Sequence, residues 1–317
     1  MRPQPKTTAQ FVWGVTNRPE LGEMFGGFYT EFLGKRILID CGTVTGAKDL
    51  VQRLKSILGD KSLDFVFLTH IHLDHSGGLS AIFKAWPQAK AVVHEDAIRH
   101  LIYPAKLWRS TKRVMGEMAA VYGEPRSVDD ERLIPHTAFS HPGIQVIETP
   151  GHAAHHLSYR LGLTLFCGEA VGCPYAWGAN FHSRPATPPL YYPELTFHSL
   201  NLLLKEPAKE AYFAHTHERG PLMETILAYR RQLTFWDQFL FPKWSEMTPE
   251  TDKKAYISQL TDELFEIDPE LKPLLSLESQ PLETEKYFMR NSVLGFFTHY
   301  DTRKAEEEGQ KPPNFRV

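Results

Sequence analysis

The sequence is poor in cysteine: three in 317 residues, Cys41, Cys167 and Cys173. So sparse and odd a set excludes a disulfide scaffold and fits a reducing compartment. No stretch approaches the roughly 18 consecutive apolar residues of a membrane helix. The opening Met1-Arg-Pro-Gln-Pro-Lys6 lacks the apolar core of an export signal. These absences predict a cytoplasmic chain with no membrane partner. A basic surplus is missing too, with 35 Lys and Arg against 38 Asp and Glu and a net charge of −3. A protein that lives on phosphate contacts needs the opposite balance, so nucleic acid is not the expected partner. There is no internal repeat, no low-complexity tract and no Gly-x-Ser-x-Gly elbow for a serine nucleophile.

What the chain does have is histidine, fifteen of them, the side chain that most often ligates metal. Apolar residues at 42% and charged residues at 23% are ordinary for a globular domain. Short apolar runs at 36–40, 65–68, 91–93, 144–147, 157–161, 163–166 and 211–214 read as strands, the last being the final strand. Leu50, Val51, Leu54, Ile57 and Leu58 mark one face of a helix over 46–58. Residues 97–143 read as mostly helical. Residues 173–199, rich in Pro and aromatics, read as a long functional loop. From Leu222 the pattern turns helical: Leu222, Ile226, Tyr229, Leu233, Trp236 and Leu240 form one apolar stripe. Thr248-Pro249 predicts the start of a second helix carrying Ile257, Leu260, Leu264 and Ile267, and 283–306 one or two more. The charged tail after Lys304 is expected to fray. The division predicted is a mixed α/β body over 1–221 and a helical extension over 222–317.

The densest chemical signal is Thr69-His70-Ile71-His72-Leu73-Asp74-His75-Ser76-Gly77-Gly78, directly after the strand 65–68. His152, Glu169 and His215 each lie just beyond a later strand. A sheet whose strands deliver imidazole and carboxylate to one edge is what a preorganised metal site requires. Donors of this type without thiolate suit zinc, iron or manganese.

With Ile39-Asp40-Cys41-Gly42 upstream and Thr149-Pro-Gly-His152-Ala-Ala-His-His156, Cys167-Gly-Glu169 and Ala214-His215 downstream, the chain resembles the metallo-β-lactamase-fold hydrolase superfamily. The resemblance covers about residues 11–220 and points to its glyoxalase II and lactonase-like branch. It implies a four-layer αββα sandwich with a helical C-terminal extension over the cleft. It also implies His70, His72 and His152 on a first metal, Asp74, His75 and His215 on a second, and Glu169 where the family has a bridging aspartate. Two divalent ions, zinc first and iron or manganese next, would share a water and bring its pKa toward neutrality. Asp74 would hold the second metal and move a proton to the leaving group. Glutamate is one methylene longer than aspartate, which leaves single-metal ligation or a hydrogen bond to a ligand histidine as the alternatives to bridging.

The expected activity is hydrolysis of an ester, thioester or lactone on a small substrate with an apolar or acyl part. Lys243, Lys253 and Lys254 are available to grip a glutathione tail, although any solvated helix offers as much. Gly172 stands where acyl-homoserine lactonases often carry tyrosine. Two alternatives stay open: a mononuclear iron persulfide dioxygenase-like enzyme, and a signalling or partner-binding protein with incidental esterase activity. The 222–240 stripe either packs on the body or forms a homodimer face. Tyr175, Trp177, His182 and Tyr191 are candidates for the substrate wall or for packing against the C-terminal helices. His217 could replace His215; His156 is expected to pack behind the metals, with neither it nor His155 a direct ligand. His94, His100, His136, His141, His182, His198 and His299 read as surface or loop residues.

Overall fold

A computed structural model describes residues 7–309 apart from 19, 20, 22, 178, 179 and 218. The opening hexapeptide and the end of the charged tail lie outside the described residues. Six strands form the first sheet: β1 (Ala9–Trp13), β2 (Gly26–Phe32), β3 (Lys35–Ile39), β4 (Phe65–Phe67), β5 (Lys90–Val93) and β6 (Leu133–Pro135), paired in that order. β1 to β3 run antiparallel and β3 to β6 parallel. The second sheet contains β7 (Ile144–Glu148), β8 (Leu157–Leu161) and β9 (Thr164–Phe166). After a hairpin of β10 (Cys173–Trp177) and β11 (Asn180–Arg184), it continues with β12 (Glu210–Tyr212) and β13 (Arg219–Pro221). Its order is β13-β12-β9-β8-β7, with β12 parallel to β9.

Strand alternation explains why the sheets stack. Ile37, Ile39, Phe67 and Val92 point inward and meet Leu157, Tyr159, Leu161 and Phe166 of the second sheet. Their neighbours Leu38, Val66, Ala91 and Val93 point outward to the first helical layer. That layer comprises α1 (Ala47–Leu58), a single turn α2 (Leu73–Ser76), α3 (Leu79–Ala85), α4 (Glu95–Ile102), α5 (Ala105–Met115) and α6 (Ala119–Tyr122). On the far side Ile147, Leu165 and Phe213 pack with α7 (Pro193–Leu203) and three long helices, α8 (Leu222–Ser245), α9 (Lys253–Ile267) and α10 (Ser279–Glu307). The result is the expected αββα sandwich with a helical extension. No described helix is long and apolar enough to cross a membrane.

Several local expectations are corrected. The stretch 173–199 is a hairpin and the start of α7 rather than one loop. The strand after 211–214 exists as β13. α9 starts at Lys253 because Asp252 accepts from the Lys254 and Ala255 amides, whereas Thr248 closes a turn with Thr251. Ile267 is exposed and Phe265 takes its place in the core. One helix, α10, spans 283–306 and stays ordered through Glu307.

Candidate metal centre

Asp40, His70, His152, Glu169 and His215 lie just past the C-terminal ends of β3, β4, β7, β9 and β12, so both sheets deliver side chains to one edge. His72 N-caps α2, and Asp74 and His75 follow within its single turn. Glu169 reaches the site through Gly168, whose φ of +54° favours glycine and whose Cβ would lie 2.6 Å from His156 Nε2. His156 is fully buried, accepts the Glu169 amide at 3.1 Å and pairs with Thr149 at 2.9 Å. It therefore fixes Glu169 from behind.

The donor atoms form two adjoining groups: His70, His72, His152 and Glu169, and Asp74, His75 and His215. His72 Nδ1 is 3.0 Å from His70 Nε2 and 2.8 Å from His152 Nε2. Those spacings are near the edge of about 3.3 Å expected for nitrogens tetrahedrally arranged around a cation. Asp74 Oδ2 lies 3.7 Å from both His75 Nε2 and His215 Nε2. Glu169 Oε2 lies between the groups, 3.0 Å from His152 Nε2, 3.4 Å from His70 Nε2 and 3.1 Å from His75 Nε2.

The hydrogen bonds behind the rings test whether a cation fits. His152 Nδ1–H donates to the Ala186 carbonyl at 3.0 Å and His215 Nδ1–H to the Met24 carbonyl at 3.1 Å. His75 Nδ1–H donates to Asp40 Oδ2 at 2.9 Å. The Thr69 hydroxyl is committed to Asp40 Oδ2 at 2.8 Å, so it accepts from His70 Nδ1–H at 3.0 Å. In their neutral forms all four rings therefore turn a bare Nε2 lone pair inward, beside two carboxylates. A buried cluster of acceptors without donors is costly unless a cation sits among them, and anchored imidazoles are how metal sites are built.

The electrostatics agree. Burial and then the neighbouring imidazoles of His75 and His72 push the His70 pKa well below its usual value, keeping the ring neutral. Burial opposes ionisation of Glu169, yet His152, His70 and His75 hold its carboxyl well below the usual range. Burial also opposes charge on His75, but Asp74 and Asp40 drive its pKa up, which marks where positive charge is wanted.

All seven candidate residues thus come together. His217 does not: it stacks on Phe11 with centroids 4.6 Å apart and faces Glu23. Cys167 points into the core behind the second sheet, whereas the buried Cys173 thiol donates to Glu169 Oε1 at 3.0 Å. Sequence reasoning missed that contact, because β10 was hidden in an apparent loop. The motif around Asp40 likewise carries no local sign that its carboxylate orients His75.

The donors open into a cleft walled by Leu107 and Val114 of α5, by Pro185, Ala186, Pro188 and Pro189, and by Phe288 and Met289 of α10. Of the residues expected either in the substrate wall or packed against the C-terminal helices, Tyr175, His182 and Tyr191 take the packing role. Tyr175 and His182 dock the β10–β11 hairpin on Glu270, and Tyr191 packs on Phe296 in the core. The Trp177 side chain lies outside the described residues. His136 and His299 are corrected from surface or loop residues to buried ones, His299 within α10.

Comparison with known proteins follows the same line. Residues 33–215 match the metallo-beta-lactamase superfamily. A metallo-beta-lactamase fold-containing protein of Sulfurisphaera tokodaii is 31% identical over 188 residues, 56% of this chain and 67% of that protein. A hydroxyacylglutathione hydrolase of Shewanella oneidensis is 30% identical over 156 residues, 48% of each chain. The chain thus spans about half the length of the hydroxyacylglutathione hydrolases it matches. An archaeal metallo-beta-lactamase superfamily protein from Sulfolobus tokodaii has the same fold at TM-score 0.64 and 21% identity, over 92% of this chain and 99% of that one. A metallo-beta-lactamase family protein from Thermus thermophilus gives 0.58 and 18%, over 97% and 96%. The chain belongs to the metallo-beta-lactamase superfamily, and its convergent donors are those of a metal-dependent hydrolase.

Proposed function

We propose that this protein hydrolyses an ester, thioester or lactone bond at a binuclear centre. His70, His72 and His152 would hold one cation, Asp74, His75 and His215 the other, and Glu169 Oε2 would bridge. The observation that carries the reading is the position of Glu169 Oε2, within 3.4 Å of imidazoles from both groups. Divalent ions bound there would activate water near neutral pH and polarise a carbonyl, with zinc the first expectation. Asp74, free of any hydrogen bond to the described protein, is placed to relay a proton to the leaving group. Asp40 holds the tautomer of His75, and the chain from residue 222 lids the cleft through α10.

The cleft favours an apolar acyl part. Arg184 is the only cation among its described lining residues, and Glu285 neutralises it. A glutathione tail brings carboxylates that this wall does not answer. Lys243 and Lys253 instead pair with Glu263 and Asp301. This favours neutral esters and lactones over glutathione thioesters within the glyoxalase II and lactonase-like branch.

The test is turnover of 4-nitrophenyl butyrate, butyrolactone and S-lactoylglutathione by protein of measured metal content. Turnover of the neutral substrates, lost in Asp74→Ala, is the expected result. Absence of any hydrolysis by metal-loaded protein would overturn the reading.

A further inference from the structure

Among the described lining residues of the cleft, one largely buried side chain opens a hydroxyl on it that neither the donor sets nor the surrounding fold uses. Tyr122 closes α6, is 4% exposed, and lines the cleft beside Asp74, Glu169 and His215. Its ring is fixed edge-on against Phe25 with centroids 5.4 Å apart. Its backbone carbonyl accepts the Val44 amide at 2.9 Å, tying α6 to the loop before α1. Yet its hydroxyl makes no hydrogen bond to any described residue.

Other polar side chains of the wall are already committed. Thr111 donates to the Leu107 carbonyl, Ser292 to that of Pro185, Cys173 to Glu169 and Arg184 to Glu285. Ser110 also has no partner but is half-exposed on α5. Tyr122 alone joins near-complete burial to an unanswered hydroxyl facing the cleft. That hydroxyl opens on the cleft instead of being sealed in the wall, so cleft water answers it until a ligand oxygen takes the water's place.

We propose that the Tyr122 hydroxyl is a catalytic donor that hydrogen-bonds the carbonyl oxygen of the bound substrate and the oxyanion formed from it. This rests on the ester-type reading above. As water oxygen bonds to the carbonyl carbon, the π pair moves onto the carbonyl oxygen. Tyr122 stabilises that charge without giving up its proton. The oxyanion pair then re-forms the C=O bond as the bond from carbon to the leaving group breaks. The leaving group keeps that σ pair and takes a proton of the attacking water through Asp74. Burial above all raises the phenol pKa further, so the group stays a donor at neutral pH. A fixed donor in a dry cleft gains strength as charge develops on its acceptor, so it lowers the barrier more than it tightens the substrate.

The test is Tyr122→Phe, which keeps the ring against Phe25 and removes only the hydroxyl. Expected are unchanged metal content and circular dichroism, a fall in kcat of roughly tenfold or more on 4-nitrophenyl butyrate, and KM within about twofold. Calorimetry adds a second readout: butylphosphonate, tetrahedral like the intermediate, should bind roughly tenfold more weakly while butyrate binding holds. A kcat within about twofold of wild type, or equal weakening of both ligands, would overturn the assignment. Wild-type protein that turns over no ester would overturn the functional reading instead, and the calorimetric comparison alone would then decide the role of Tyr122.

Discussion

Two groups of histidines stand just past the C-terminal ends of strands, one fed by both sheets and one by β5 and β6 of the first, and only one is arranged for metal. His70, His75, His152 and His215 all donate Nδ1–H outward and turn Nε2 inward. His94 and His136, just past β5 and β6, stack with centroids 4.5 Å apart and lie near Glu148. Their hydrogen bonds are reversed: His94 Nδ1 accepts the Asp96 amide and His136 Nδ1 accepts the Glu95 amide, each at 3.2 Å. The proton of each neutral ring is then on Nε2, and that of His136 goes to Glu148 at 3.0 Å. The three donor atoms are close enough for an ion, but the imidazole lone pairs are spent on the backbone. Proximity of imidazole and carboxylate does not make a metal site; the tautomer enforced from behind does.

This contrast is open to attack, beginning where the effect is largest. His72→Ala removes the nitrogen that faces both His70 and His152; ester turnover should fall about a thousandfold or more, with metal content down in elemental analysis. Chelation of the wild-type protein should lower its stability to urea by about 3–4 kcal/mol, the linkage expected for metal at hundreds of times its dissociation constant. Asp40→Asn sharpens the comparison. Asp40 accepts Thr69 N–H on Oδ1 and both Thr69 Oγ1–H and His75 Nδ1–H on Oδ2. An amide that keeps its oxygen on the Thr69 amide turns its NH2 toward His75, which would shift its proton to Nε2 and come to resemble His136. Metal affinity should drop about ten- to a hundredfold in competition with a chromogenic chelator, with circular dichroism unchanged. The smallest effect belongs to Glu148→Gln, whose exposed carboxylate should contribute at most about 1 kcal/mol in urea denaturation and leave metal content untouched.

The metal ligands were legible in sequence because each follows an apolar run that ends a strand, and because His70 to His75 crowd into one short segment. The two-sheet sandwich was legible for a related reason: alternation in β3 to β5 sorts side chains between the inner face and the helical layer. The cleft wall was not. Leu107, Val114 and Phe288 come from α5 and α10, far apart in sequence, and their apolar character reads the same whether they face a core or a substrate. Tyr122 lay within a stretch read as mostly helical, where nothing local marks a hydroxyl as unanswered. His136 read as a loop residue because stacking on His94 and cover by Glu148 are tertiary facts. The tautomers were illegible too, since they depend on carbonyls as distant as those of Met24 and Ala186.

The most direct measurement is metal content by elemental mass spectrometry on three proteins: wild type, His72→Ala and the double variant His94→Ala/His136→Ala. About two divalent ions per chain in the wild type and the double variant, with a clear loss in His72→Ala, is the predicted result. Metal lost from the double variant while His72→Ala retains it would contradict the claim that the backs of the rings decide where metal binds.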